Sequence, residues 1–171
     1  MKNFNKEFAL FSKPIIESLT KTFDIMMRTG IKANSPKLKT DSQRHGDITA
    51  LINIDGKVQQ DGEIKNFKGH ISVSFLEEVF IKVASRMLME EYTEYCDDIA
   101  DAGGEIVNIV IGNAKQELKD SGYQIGMASP LTLVNGEKYD FEYDKDTLII
   151  ETKIDSDLGD FVFEICYQNV A

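Results

Sequence analysis

The apolar residues of this chain change their period as the sequence is followed, and that change restricts the fold more than any single motif does. Over residues 8–29, Ile15, Ile16, Leu19, Phe23, Met26 and Met27 recur at three- and four-residue steps, the spacing of one helical face. Ser12 is the expected N-cap of this helix, Pro14 suits its first turn, and Gly30 is its expected stop. The polar residues 32–46 could begin as a strand but read mostly as a connection. The period then drops to two. Ile48, Ala50, Ile52 and Ile54 face one way, Asp47, Thr49 and Asn53 the other, and Asp55-Gly56 supplies a turn. Residues 68–75 read as another strand, with Ile71, Val73 and Phe75 on one face. Helical spacing returns over residues 76–91 and again over 97–121. The last third alternates once more. Residues 123–134 and 137–143 flank Asn135-Gly136, the strongest hairpin signal in the chain, and strands over 147–154 and 161–167 follow. This order predicts an α+β fold, with helices packed on a largely antiparallel sheet.

Composition narrows the partners. At 171 residues the chain suits one domain, 1–171, with a substantial core. Acidic residues outnumber basic ones, 29 to 19, for a formal net charge of -10. No run of Lys or Arg forms the basic stripe that a phosphate backbone requires, so nucleic acid is not the expected partner. No segment holds the ~18 consecutive apolar residues that span a bilayer, and the first residues do not read as a signal peptide. The expected location is the cytoplasm, where Cys96 and Cys166, far apart and without ligand spacing, are most simply free thiols. His45 and His70 stand isolated in sequence, and no metal site is expected.

The informative segment is residues 97–114, DDIADAGGEIVNIVIGNA. At about 100° per residue, Asp101, Glu105 and Asn108 project within a narrow arc, with Gly112 beneath them. Ile99, Ala102, Ile106, Ile109 and Val110 take the opposite side. An acid and an amide therefore stand together on a solvent-facing ridge that Gly112 keeps low enough for a partner to approach. Gly103 and Gly104 each cost a helix interior about 1 kcal/mol, which points to close packing rather than to helix stability.

This segment resembles the CheC/CheX/FliY family of chemotaxis phosphatases. The family signature is an Asp or Ser, then E-x-x-N, then a proline about two dozen residues later, and Asp101, Glu105, Asn108 and Pro130 match it in type and order. Residues 69–75, GHISVSF, and 112–115, GNAK, are also similar to the family, so the resemblance runs over about residues 69–136. Glu17-Ser18-Leu19-Thr20 on the first helix carries Thr where a second motif would carry Asn, so one working site is expected. That makes the chain similar to CheX rather than to CheC.

The resemblance implies a CheC/CheX-like fold and a homodimer. It also implies removal of the phosphoryl group from the aspartate of a CheY-like receiver domain. Asn108 would orient the attacking water and Glu105 would pair with the receiver's lysine. Asp101 and Gly112 would lie on the partner contact, and Pro130 would be architectural. Mg²⁺ would come from the receiver, with no cofactor held by this chain. An amide suits the task because it both donates and accepts hydrogen bonds, so it directs a water without a shifted pKa. The alternative is a non-catalytic receiver-binding or flagellar-switch-like protein, although a pure binding module has no use for an amide at that point. A metabolic α+β enzyme would want a nucleophile and base, and no Ser-His or Cys-His constellation is present. Asp155, Asp157 and Asp160 lack the spacing of a calcium loop and read as a charged turn. Strands near the middle of the chain are the expected source of an exposed edge.

Overall fold

The computed structural model describes residues 2–41 and 43–170. Its frame is an eight-stranded, wholly antiparallel sheet. The strands are β1 (Ile31–Ala33), β2 (Lys37–Lys39), β3 (Ile48–Gln60), β4 (Glu63–Phe75), β5 (Tyr123–Met127), β6 (Leu131–Val134), β7 (Leu148–Ser156) and β8 (Phe161–Val170). Their spatial order is β1-β7-β8-β4-β3-β5, with β2 also on β7 and β6 also on β3. The α+β expectation holds. The helices α1 (Lys2–Thr22), α2 (Glu77–Leu88), α3 (Asp97–Ala100) and α4 (Ala102–Asp120) share one core with the face of the sheet that carries Ile48, Ala50, Ile52, Ile71 and Val73.

Several boundaries differ from the sequence expectation, each for a physical reason. The first helix starts well before Ser12, and Pro14 lies inside it. Phe11 is buried against Phe67, Tyr123 and Tyr167, with ring centroids 5.8, 5.2 and 5.1 Å away. Burying such a ring contributes about 1.5–3 kcal/mol, which offsets the hydrogen bond Pro14 cannot donate. The helix ends in a π turn, Phe23–Met27, closed by Arg28 in the left-handed region at φ 52°. Gly30 follows that stop and does not make it.

The hairpin between β3 and β4 turns at Asp61-Gly62, φ 50° and 81°, not at Asp55-Gly56, which lies within β3. The preferred turn is the one that lets thirteen residues pair on each side, from Ile48 opposite Phe75 to Gln60 opposite Glu63. These long strands are central, so the exposed edges belong to the short strands β1, β2, β5 and β6. The expected strand over residues 123–134 breaks into β5 and β6 just before Pro130. Residues 32–46 hold more strand than expected, in β1 and β2.

Asn135-Gly136 does turn, at φ 45° and 81°, but residues 137–143 form no strand. They cross the sheet face away from the helices, where the rings of Tyr139, Phe141 and Tyr143 surround His70 at 5.4, 5.1 and 6.1 Å. Tyr139 and Phe141 are half-buried and Tyr143 stays exposed, so the segment exchanges pairing along the edge of β6 for ring contacts with His70.

Candidate functional site

The expected single helix over residues 97–121 is divided at Asp101. This residue closes α3 and opens α4 with φ −86° and ψ −6°. Its carbonyl accepts the Glu105 N–H at 3.0 Å, while its side chain makes no capping hydrogen bond. Glu105 falls in the first turn of α4, where the unpaired N–H groups and the helix dipole favour a carboxylate.

The two glycines seat this turn. A Cβ on Gly103 would stand 2.8 Å from the Cβ of Ala50, and one on Gly104 would stand 3.3 Å from two carbons of Pro130. The helix therefore lies directly on β3, and Pro130 packs against its open side. That contact explains why a proline two dozen residues away belongs to the motif. From the other side the buried Ser18 hydroxyl donates to the carbonyl of Val110 at 2.7 Å, which ties α1 to the middle of α4.

Seated this way, α4 turns Ala102, Ile106, Val107, Val110 and Ile111 inward and presents a polar strip outward. Asp101, Glu105 and Gly112 are exposed, and Asn108 and Ile109 are half-buried. Neither the Glu105 carboxylate nor the Asn108 amide has a partner among the described residues. A Cβ on Gly112 would meet nothing within 4 Å. An open concavity of about 410 Å³ adjoins the strip, walled by Tyr95, Asp101, Gly104, Glu105, Pro130 and Glu137. Burial, and then the charges of Asp97, Glu137 and Asp101, push the Tyr95 phenol above its usual pKa. Tyr95 and Glu137 had no signal in the sequence, because they reach this concavity from segments outside the helix.

The degenerate position on α1 is occupied internally. The Thr20 hydroxyl donates to the carbonyl of Ile16 at 3.1 Å, and Glu17 pairs with Lys13 at 3.9 Å on the surface. The other chemistry-bearing residues lie elsewhere. His45, isolated in sequence, meets Glu151 at 2.8 Å and lies close to Glu164. The ammonium of Lys39 sits 2.6 Å from Glu164, supplying the positive charge there and disfavouring a metal ion. Cys96 and Cys166 are free thiols. Burial, then Glu164, push the Cys166 thiol up to about 12, far from nucleophilic at neutral pH. No helix of the described residues is long and apolar enough to cross a membrane.

What the strip offers chemically is a carboxylate and an amide one turn apart, both free to engage another molecule. A nucleophile is not part of it. The chain matches the family model described as chemotaxis phosphatase CheX over residues 48–166, a span that contains the whole strip. A CheC-like superfamily protein from Shewanella sp. PV-4 is 30% identical, with TM-score 0.75 over 93% of this chain and 97% of that one. The chemotaxis protein CheX from Vibrio vulnificus is 28% identical, with TM-score 0.72 over 91% and 97%. A CheX–CheY–BeF3–Mg²⁺ complex from Borrelia burgdorferi contains a chain of the same fold, 20% identical, with TM-score 0.67 over 91% and 96%. No curated protein matches the chain. The chain belongs to the chemotaxis phosphatase CheX family.

Proposed function

We propose that this protein hydrolyses the aspartyl phosphate of a CheY-like receiver domain. The observation that carries the reading is the unpartnered pair Glu105 and Asn108 on the outer strip of α4, beside the open surface at Gly112. The Borrelia burgdorferi relative, solved with CheY, BeF3 and Mg²⁺, supports the choice of partner.

On the receiver, the phosphoryl oxygens are neutralised by a bound Mg²⁺ and a lysine, so the group lacking for hydrolysis is a held water. Asn108 enters that site and fixes the water through one donated and one accepted hydrogen bond. The water oxygen bonds to phosphorus as the bond to the aspartate oxygen breaks. That carboxylate leaves with the electron pair, and the water's proton passes to solvent or to the phosphate released. Glu105 pairs with the receiver's lysine through a charge-assisted contact that sets the register of α4. Asp101 and Gly112 lie on the same contact, and the gain in rate comes from positioning. The chain needs no cofactor of its own. Residues 1–171 work as one cytoplasmic domain, in keeping with two free thiols. The protein acts as a homodimer, in keeping with exposed edges on β1, β2, β5 and β6, and light scattering checks that state.

The test is phosphate release from receivers charged by a small-molecule phosphodonor in Mg²⁺. Wild-type protein should accelerate release, and Asn108→Ala should remove the acceleration while leaving the fold intact. Acceleration that survives Asn108→Ala would refute the water-positioning role. Binding of the phosphorylated receiver without acceleration would replace the enzyme by a non-catalytic binding protein.

A further inference from the structure

On the sheet face away from the helices, side chains from several strands floor a second cavity of about 450 Å³. Thr49 of β3, His70 and Ser72 of β4 and Glu164 of β8 form its base, under a roof of Tyr139 and Tyr143. A sheet face left without helices is ordinarily solvated. Here Thr49, His70, Ser72 and Glu164 are each 2–4% exposed, so polar groups have been enclosed rather than left to water.

The acidic groups of the wall are already engaged. Glu164 holds Lys39 at 2.6 Å, Glu137 accepts the Val134 N–H at 3.0 Å, and Asp47 accepts the Glu77 N–H at 2.9 Å where α2 begins. The donors are less committed. Lys138 has no partner among the described residues, and one nitrogen of Arg44 donates to the carbonyl of Glu137, leaving its other N–H groups. The Nε2 of His70 lies 3.2 Å from the Tyr143 hydroxyl, while its Nδ1 is buried with no partner among the described residues. Burial, then Lys39, lower the His70 pKa to about 3, so the ring is neutral. Either His70 Nε2 or the Tyr143 hydroxyl can donate in that contact, and Nδ1 is a donor in the tautomer that has Tyr143 donating.

We propose that this cavity binds a small molecule through an oxyanion, a carboxylate or a phosphate, held by His70, Ser72, Arg44 and Lys138. The unsatisfied Nδ1 is the group such a ligand completes in the tautomer that protonates it, because a buried polar atom without a partner is rare and calls for an explanation. Glu137 borders both this cavity and the concavity beside Glu105, so an occupant would stand one side chain away from α4.

The experiment follows the His70 imidazole resonances of the full chain by NMR at pH 7. Orthophosphate and, separately, succinate are added, with chloride at equal ionic strength as control. A saturating shift with phosphate, succinate or both is expected, and the pattern tells a phosphate ligand from a carboxylate one. Lys138 is exposed, so Lys138→Glu should fold normally while weakening the shift-derived affinity about tenfold through loss of a charge-assisted contact. A His70 signal unmoved by either anion overturns the proposal. So does a shift whose affinity is unchanged in both Lys138→Glu and Arg44→Glu.

Discussion

Lowering the pH from 7 to 5 should destabilise this protein through one buried residue. The His70 ring is 3% exposed and stands among the rings of Tyr139, Phe141 and Tyr143. Burial, then the nearby Lys39 charge, hold its pKa at about 3 against an ordinary 6.5. Between those two values the ring carries a second proton and a positive charge in the unfolded chain, whereas in the folded chain it is neutral. Stability therefore falls as the pH falls, by about 1.4 kcal/mol per unit. The loss begins near pH 6.5 and is complete only near pH 3. At pH 5 it amounts to about 2 kcal/mol. Urea unfolding of the wild type and of His70→Gln at both pH values isolates the effect, since carboxylates titrate alike in the two proteins. The difference in stability between them should narrow by about 2 kcal/mol at pH 5. A difference that stays constant would refute the argument, because His70 would then titrate in the folded state much as it does in the unfolded one.

The Lys39–Glu164 pair sets a second test, since Glu164 lies directly across from Glu151 on the neighbouring strand. Lys39→Met should cost about 3–5 kcal/mol by leaving a buried carboxylate without its counter-charge, and adding Glu164→Leu should recover most of that loss in urea melts. The glycines of α4 should respond with opposite signs. Gly103→Ala meets Ala50 at 2.8 Å and should lose about 1–3 kcal/mol by overpacking. Gly112→Ala meets nothing and should gain about 0.5–1 kcal/mol, yet it should raise the KM for the phosphorylated receiver, a steady-state measurement that separates docking from folding. Cys166 should resist alkylation at pH 8 in the native protein, as mass spectrometry would report, because its thiol stays protonated until about pH 12.

The motif was legible in the sequence because its parts sit on one helix. Asp101, Glu105, Asn108 and Gly112 need only the helical repeat to fall on one strip, and the break at Asp101 does not rotate them apart. The glycine pair was legible as a close approach, but its partners were not. Ala50 and Pro130 come to Gly103 and Gly104 through the pairing of β6 with β3, which places Thr132 opposite Ala50. Turn chemistry misled at Asp55-Gly56, because the same dipeptide type recurs at Asp61-Gly62 and only ladder length decides between them. It misled again after Asn135-Gly136. There the alternation of Tyr139, Phe141 and Tyr143 is strand-like, but its apolar side covers His70 rather than pairing along an edge.

The two faces of β3 show why the second cavity left no trace in the sequence. Ala50 points to the helices and receives Gly103, whereas Thr49, one residue earlier, points the other way and floors the cavity. Read along the chain, Thr49, His70, Ser72 and Glu164 are simply the polar members of alternating strands, and alternation predicts that such residues face water. Their enclosure depends on contacts that skip far along the chain, such as Lys39 reaching Glu164 and Tyr143 reaching His70. A pattern of period two says which residues share a face, but not whether a later segment will close over it. That closure leaves the Nδ1 of His70 buried and unpaired among the described residues, on the sheet face opposite the one that carries the family motif. The same strand thus supports α4 through its small residues and a polar chamber through its neighbours, so changes at Thr49 and Ala50 should separate: Ala50→Val should disturb the seat of α4, whereas Thr49→Val should remove its hydrogen bond to Ser74 and leave α4 in place.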